Sequence, residues 1–439
     1  MRRHARKGAA LFAAAAMAMT ALVGCSGSDK PSASDKVSLT WWGWNAFNQT
    51  QAIKEFQAAN PNITVTYKQF AYNDYLTALR PGLAGGKGPD VFQVQPGDLV
   101  TNFGPLAVPV EDYLSKSLGS DWASKFNPEG LRQLQLKDKQ VALPAYMSAA
   151  GLVYYNKKIL DRFGLTVPTD FAAWKTVCAT LKSKGVGCLA HGAKDAWANT
   201  DVFLSLINSI APGKVYDAIA GKTSWTDPEF VQAMDAWHDL FTSGIIAPGA
   251  AAAAEYPDAQ INFLEDKAAF IALGTWNTPA TMTKTGQADA QKTVTKKIDG
   301  LFFSAPFPAP VAGGTPTKLF GGPDNGYAVS AKSSKQDAAF KFMEFLTAGK
   351  GQDIQAAGGN IPAITSIKVA TTDVIDPRQA ADIEKQQASL TQLVGARQIP
   401  YSDLTTALGD ALSGVAAGTT KPADALAQVE AASKSVTRS

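Results

Sequence analysis

Cysteine and histidine are scarce in this 439-residue sequence, with three of each. Cys178, Cys188, His191 and His238 show no metal-ligand spacing, so neither a metal nor a cofactor is expected. Catalytic signatures are missing as well. There is no Gly-x-Ser-x-Gly elbow and no His-Glu-x-x-His. Gly221-Lys222-Thr223 fails as the end of a phosphate loop because Tyr216 stands where that loop requires glycine. Beyond the N-terminal region no stretch is apolar for long enough to cross a bilayer. Carboxylates are plentiful but do not announce a catalytic pair; Glu111-Asp112 and Glu265-Asp266 read as solvated surface. These absences argue against an enzyme.

The N-terminus carries the first positive signal. Arg2, Arg3, Arg6 and Lys7 precede an apolar run from Ala9 to Val23, which closes on Leu22-Val23-Gly24-Cys25. Residues 1–24 read as a signal peptide for the general export route, and the small Gly24 suits cleavage before a lipid-bearing Cys25, diacylated and palmitoylated. The alternative is an ordinary secretory signal with an incidental cysteine. Four basic residues leave with the signal, so 41 basic against 38 acidic side chains becomes 37 against 38. The mature chain therefore has no electrostatic footprint for nucleic acid. Export to an oxidising compartment makes a Cys178–Cys188 disulfide the natural reading of the two remaining cysteines.

Residues 25–36, rich in Ser with Lys, Asp and Pro, form a flexible tether. Order begins at Val37 with a β-prone run to Trp42, then a helix over Gln51 to Ala59 stopped by Asn60-Pro61. An alternating strand follows through Ile63, Val65 and Tyr67, a helix around Tyr75 to Leu79, and a strand at Val91, Phe92 and Val94. Such alternation is a parallel α/β opening. It recurs where Phe171, Trp174, Val177, Cys178 and Leu181 form a helical stripe before Cys188-Leu189. Near the end, Ser334 and Asp337 are placed to cap a helix with Ala338, Ala339, Phe342, Phe345 and Leu346 on one face. Ala247 to Ala254 reads as a loop. At this length, two α/β lobes are the natural architecture.

Aromatic residues at strand ends are the unusual feature. In open α/β sheets ligands gather beyond the carboxyl ends of strands. An indole there offers an apolar face to a sugar ring, and nearby amides or hydroxyls can bond its hydroxyl groups. Trp41 and Trp42 are assigned to the core. Trp44, beyond Gly43, is assigned to a site, with Asn45 beside it. FLEDKAAFIALGTW at 263–276 reads as a strand ending in a glycine turn that presents Trp276, the foremost candidate. Tyr146 and Trp197 are further candidates; Trp197 reads equally as the first core residue of a helix.

Taken together these segments resemble the family 1 extracellular solute-binding proteins, the lipoprotein receptors of ATP-driven sugar importers and relatives of maltose-binding protein. The resemblance rests on the lipobox, Trp-Trp-Gly-Trp at 41–44, Gly88-Pro89-Asp90-Val91, LPAYMSAAGLVYYNKK at 143–158 and FLEDKAAFIALGTW. It extends through GPDNGYAVSAKSSKQDAAFKFMEFLT at 322–347 and Gly359-Asn360-Ile361-Pro362. It implies a two-lobed periplasmic-binding-protein-like fold with a ligand cleft and a hinge crossed three times, near Tyr146 to Ser148, Gly321 to Gly326 and Gly358 to Pro362. Residues 37–147 plus 326–360 would form lobe one, and 148–325 plus 361–439 lobe two. Ligand positions then fall on Trp44, Asn45, Gln95, Asp98, Trp276, Gly321 and Gly322. The implied function is a monomeric receptor on the outer face of the cytoplasmic membrane that delivers a carbohydrate to separate permease and ATPase subunits. The Asp-Lys pair of the maltose receptor is missing after the first strand, so maltodextrin specificity does not follow. An exported glycan-active enzyme, or a receptor for a polyamine or peptide, remain the alternatives.

Overall fold

The computed structural model describes residues 36–44 and 48–438; the expected signal peptide, Cys25 and Asn45 lie outside the described residues. The strands in chain order are β1 Val37–Gly43, β2 Ile63–Gln69, β3 Val91–Val94, β4 Gln135–Leu136, β5 Lys139–Gln140 and β6 Leu143–Ala150. They continue with β7 Leu152–Asn156, β8 Gly187–Ala190, β9 Ala268–Ala272, β10 Phe302–Pro306 and β11 Phe320–Val329. Two sheets result, ordered β2-β1-β3-β11-β6 and β10-β7-β9-β8, with β4 and β5 forming a small hairpin.

The first sheet grows from the alternating sequence. β1 pairs in parallel with β2 from Val37↔Ile63 to Gly43↔Gln69, and with β3 on its other side. Leu39 and Trp41 point into the core with Val65 and Val91. Trp41 packs against Tyr67, Tyr327 and Phe342 at centroid distances of 4.5, 5.4 and 5.3 Å. Contacts of this kind each add about 1 kcal/mol beyond the area they bury. The helix behind them starts at Gln336, later than the Ser334 cap anticipated from sequence. Its N-cap is Lys335, which makes no side-chain cap bond. Ser333 and Lys335 bond Asp90 instead, tying the loop to the start of β3.

β6 and β11 are buried along their whole length. They run antiparallel from Phe320↔Ala150 to Tyr327↔Leu143 and carry the chain between the two sheets. A bulge interrupts them between Pro323 and Gly326. Pro323 has no N–H for a ladder, so the break falls where the sequence permits one.

In the second lobe the helix Phe171–Ser183 buries Phe171, Trp174, Val177, Cys178 and Leu181. This is the stripe expected from the sequence. Cys178 is joined to Cys188 in β8, with Cα atoms 5.1 Å apart. The C-terminal helices Ser402–Ala416 and Pro422–Ser435 pack into the same core, where Trp237 Nε1 donates to Leu412 O at 3.0 Å.

Three expectations need correction. The third crossing comes later than residue 360, because Ile361, Ala363 and Ile364 are still buried with the first-lobe residues Phe126 and Met147, and Asn127 N–H donates to Ala363 O. The strand placed over 263–276 is confined to β9, since Gln260–Leu264 is helical and Asp266 turns the chain with a left-handed φ of 60°. Glu265 is not solvated surface. Lys267, Thr295 and Lys296 bond its buried carboxylate and hold it down at about 2.

The Cys178–Cys188 link closes a loop of ten residues. Replacing both cysteines by alanine is expected to lower unfolding free energy by about 2 to 3 kcal/mol in urea titration.

Candidate functional site

The parallel strands β1 and β3 deliver their carboxyl ends to one side of a cleft, and the parallel pair β8 and β9 deliver theirs to the other. This is where an α/β sheet offers backbone and side chains to a ligand. On the first side Trp44 follows Gly43, and its N–H donates to Gln93 Oε1 at 2.8 Å. Its indole meets Tyr72 and Tyr75 edge-on at 5.4 and 5.2 Å. Tyr72 donates its hydroxyl to Gln95 Oε1 at 2.6 Å. Asp98 opens the helix Asp98–Phe103, and burial pushes its carboxyl up to about 6.

On the second side Trp276 lies in the turn Thr275–Asn277 just beyond β9. Gly274 is required there, since a Cβ would overlap the indole. Trp276 Nε1 donates to the Tyr256 hydroxyl at 3.1 Å, and Tyr256 stacks on Trp197 at 5.8 Å with planes 13° apart. Trp197, in the first turn of the helix Ala196–Ile210, is half-buried and packs at the edge of the core that holds Leu152 and Tyr154.

Between the sides sits a buried charge network. The β6–β11 bulge turns Asp324 inward, where its carboxylate accepts from the Tyr146 hydroxyl at 2.8 Å and the Asn325 amide at 2.9 Å. Gln93 donates in turn to Asn325 Oδ1 at 3.1 Å, linking the network to Trp44. Arg397, from the segment before the helix Ser402–Ala416, grips Asp201 through two nitrogens at 2.8 to 3.0 Å and lies 3.6 Å from Asp324. Its guanidinium rests 4.0 Å from the Trp276 ring centroid and 5.7 Å from that of Trp197. Arg397 is held charged. Burial, the dominant influence on Asp201, pushes that carboxyl up, while the guanidinium pulls it down. The bidentate geometry matches the ionised pair, which is the state we assign.

The two sides touch. Asp98 N–H donates to Ile399 O at 3.1 Å, Asn102 Nδ2 to Ser402 Oγ at 3.0 Å and Asn73 Nδ2 to Asp195 Oδ1 at 3.5 Å. Tyr72 lies within electrostatic reach of Arg397, Asp98, Asp324 and Asp201 together.

Of the residues singled out from sequence, Trp44, Gln95 and Asp98 gather on the first side, Trp197 and Trp276 on the second, and Tyr146 at the crossing between them. Gly321 and Gly322 lie elsewhere on β11, where Gln133 covers Gly322 and donates to Gly321 O. Sequence reasoning missed Tyr72, Asp201, Tyr256, Asp324 and Arg397. Asp324 alone had a signal, the Pro-Asp-Asn-Gly run that breaks a strand. Among the described residues no group of three or more His, Cys, Asp or Glu is placed to hold a metal. No helix among them is long and apolar enough to cross a membrane. A groove of about 710 Å³ on the first lobe, beside Tyr113, Lys139 and Phe340, shares no residue with the cleft.

The chain is similar to known proteins over most of its length. A multiple sugar-binding protein of Streptococcus mutans is 23% identical over 78% of this chain and 79% of its own. A maltotriose-binding protein of Pyrococcus abyssi is 25% identical over 67% of this chain, which spans 58% of that relative. Among solved structures, a chitin oligosaccharide binding protein superposes with a TM-score of 0.74 at 22% identity, over 91% of this chain and 98% of its own. Maltose-bound T. maritima MalE3 does so with 0.74 at 19%, over 91% and 99%. These likenesses identify the fold as the two-lobed one of maltose-binding protein. The family model for bacterial extracellular solute-binding proteins matches residues 48–353, and the chain belongs to that family.

Proposed function

We propose that this protein is a lipid-anchored receptor that captures an oligosaccharide between its lobes and hands it to an ABC-type importer, without chemistry of its own. The observation that carries this reading is that Arg397 lies on the Trp276 and Trp197 rings of one lobe and acts on Tyr72, the ring partner of Trp44, in the other. Flat rings match the C–H faces of sugars, and Asp98, Asp324 and Arg397 match their hydroxyls. The relatives named for maltotriose and multiple sugars point the same way.

Capture follows from the two lobes. A solute touching both sides lowers the free energy of the closed form only, and the closed form is what a permease selects. β6, β11 and the segment after Ile364 serve as the hinge. Cleavage before Cys25 and lipidation would keep a monomeric receptor at the outer face of the membrane, within reach of its permease through the 25–36 tether. A second reading, a receptor for a cationic solute, is favoured by one observation: three carboxylates, Asp98, Asp201 and Asp324, surround the Tyr72 hydroxyl beside one guanidinium, Arg397.

A thermal-shift screen of the mature protein against oligosaccharides and polyamines tests both. A solute at about 100 times its dissociation constant stabilises by about 2.7 kcal/mol. A shift with one sugar class and no product formed supports the sugar receptor; a shift with polyamines alone replaces it, and product formation replaces both with an enzyme. Trp276→Ala is expected to weaken binding of the sugar found by on the order of 1 kcal/mol or more in calorimetry. Asp201→Asn leaves the buried Arg397 charge with only the 3.6 Å contact to Asp324. That change is expected to destabilise the fold by about 3 kcal/mol in denaturant titration.

A further inference from the structure

Behind the aromatic wall of the second lobe lies another pair of ionisable groups, His191 and Glu255, whose side chains are wholly closed off from solvent. His191 follows β8, and Glu255 precedes Tyr256. Hydrogen bonds fix where the protons are. Asn199 donates its amide to Ala193 O at 2.9 Å and Ser413 Oγ at 3.2 Å, so its carbonyl oxygen turns to His191 Nε2 at 2.9 Å. Nε2 therefore carries the imidazole proton. Nδ1 is left with a bare lone pair that has no hydrogen-bond partner and stands 3.6 Å from Glu255 Oε2. Glu255 Oε1 has no partner either, while Oε2 accepts from Gly192 N–H at 2.7 Å.

An ionised Glu255 would thus place a buried charge against a lone pair. The other groups around it do not help. Asp195 accepts from Glu255 N–H at 2.8 Å, Asp201 adds a second negative charge from the helix Ala196–Ile210, and Asp258 caps Ala254. The helix Pro228–Thr242 presents the rings of Trp237 and Phe241 to His191, and the helix Ser402–Ala416 presents Ser413. Arg397 lies beyond Tyr256 and is engaged with Asp201. One proton on Glu255 removes the conflict.

The same atoms hold the wall in place. Glu255 bonds Gly192 through its side chain and Asp195 through its backbone, bringing the Tyr256 segment against the start of the Trp197 helix. Gly192 allows this approach because a Cβ there would overlap the backbone of Ala254 and Glu255. We propose that Glu255 is a positioning residue for solute capture, keeping Tyr256 stacked on Trp197 only while it holds a proton, so that capture fails on the alkaline side. This rests on the reading of Trp197, Tyr256 and Trp276 as a ligand wall.

Burial pushes Glu255 up to about 8 and His191 down to about 4, so between those values Glu255 keeps its proton and His191 stays neutral. Two pH windows follow. An acid raised in the folded state costs stability progressively from its ordinary range up to about 8, and no further above it. Capture is a property of the folded form alone, so it changes only across about 8.

The test measures maltotriose affinity of the mature protein from pH 6 to 9.5, beside Glu255→Gln, which keeps an acceptor for Gly192 without the titration. Affinity of the unaltered protein is expected to fall at least five-fold between pH 7.5 and pH 9.5, while the glutamine variant stays level over that range. A level profile in the unaltered protein, or the same fall in both, overturns the proposal. If maltotriose does not bind at pH 7, it is the wrong probe for this cleft, and the ring nitrogens of His191 decide by NMR. A titration near pH 8 that Glu255→Gln abolishes supports the positioning role; an unchanged His191 signal from pH 7 to 9.5 overturns it.

Discussion

Both lobes hang on the antiparallel pairing of β6 with β11. Neither strand belongs wholly to one lobe: Leu143 and Tyr327 lie in the first core, while Ala150 and Phe320 lie in the second. A ladder of backbone hydrogen bonds resists stretching but tolerates twist, which suits a connection that must bend without parting. Its one irregularity is also its chemical contribution. The bulge at Pro323 to Gly326 aims Asp324 into the space where the lobes meet, and Tyr146 on the facing strand meets it there.

The charge network built on that bulge is a poor way to gain stability. Removing a guanidinium and two carboxylates from water costs several kcal/mol per ion before any pairing is recovered. What the network contributes is placement. Arg397 is fixed at both ends of its fork and cannot drift from the indole of Trp276, so the floor of the cleft has one geometry. A solute then meets a surface organised in advance, and less of its binding free energy is lost to ordering side chains.

Much of the fold was legible because its elements obey local rules. The alternation of Ile63, Val65 and Tyr67, the helical stripe from Phe171 to Leu181 and the stop at Asn60-Pro61 are one-dimensional signals, and each reappears in the structure. The site was legible only where a strand end announced it. Trp44 and Trp276 each follow a glycine turn beyond a strand, so pattern alone placed them at the strand ends that border the cleft. Arg397 has no such mark. It stands in a loop between helices, 196 positions from Asp201, and only the packing of the C-terminal helices on the second core brings the two together. Tyr256 was hidden for a related reason, since nothing beside it in the chain reveals that Trp197 lies across its ring. The solvated reading of Glu265 failed because composition cannot show that Thr295 and Lys296 fold back over it.

The loop that carries Arg397 is fastened to the very start of the crossing strand. Val394 N–H donates to Leu319 O at 2.9 Å, and Gly321 N–H donates to Gly395 O at 2.8 Å. The segment that carries Arg397 and the strand that runs between the two cores are thus mechanically one lever. An engineer who loosens that loop will also slacken the strand on which both lobes hang.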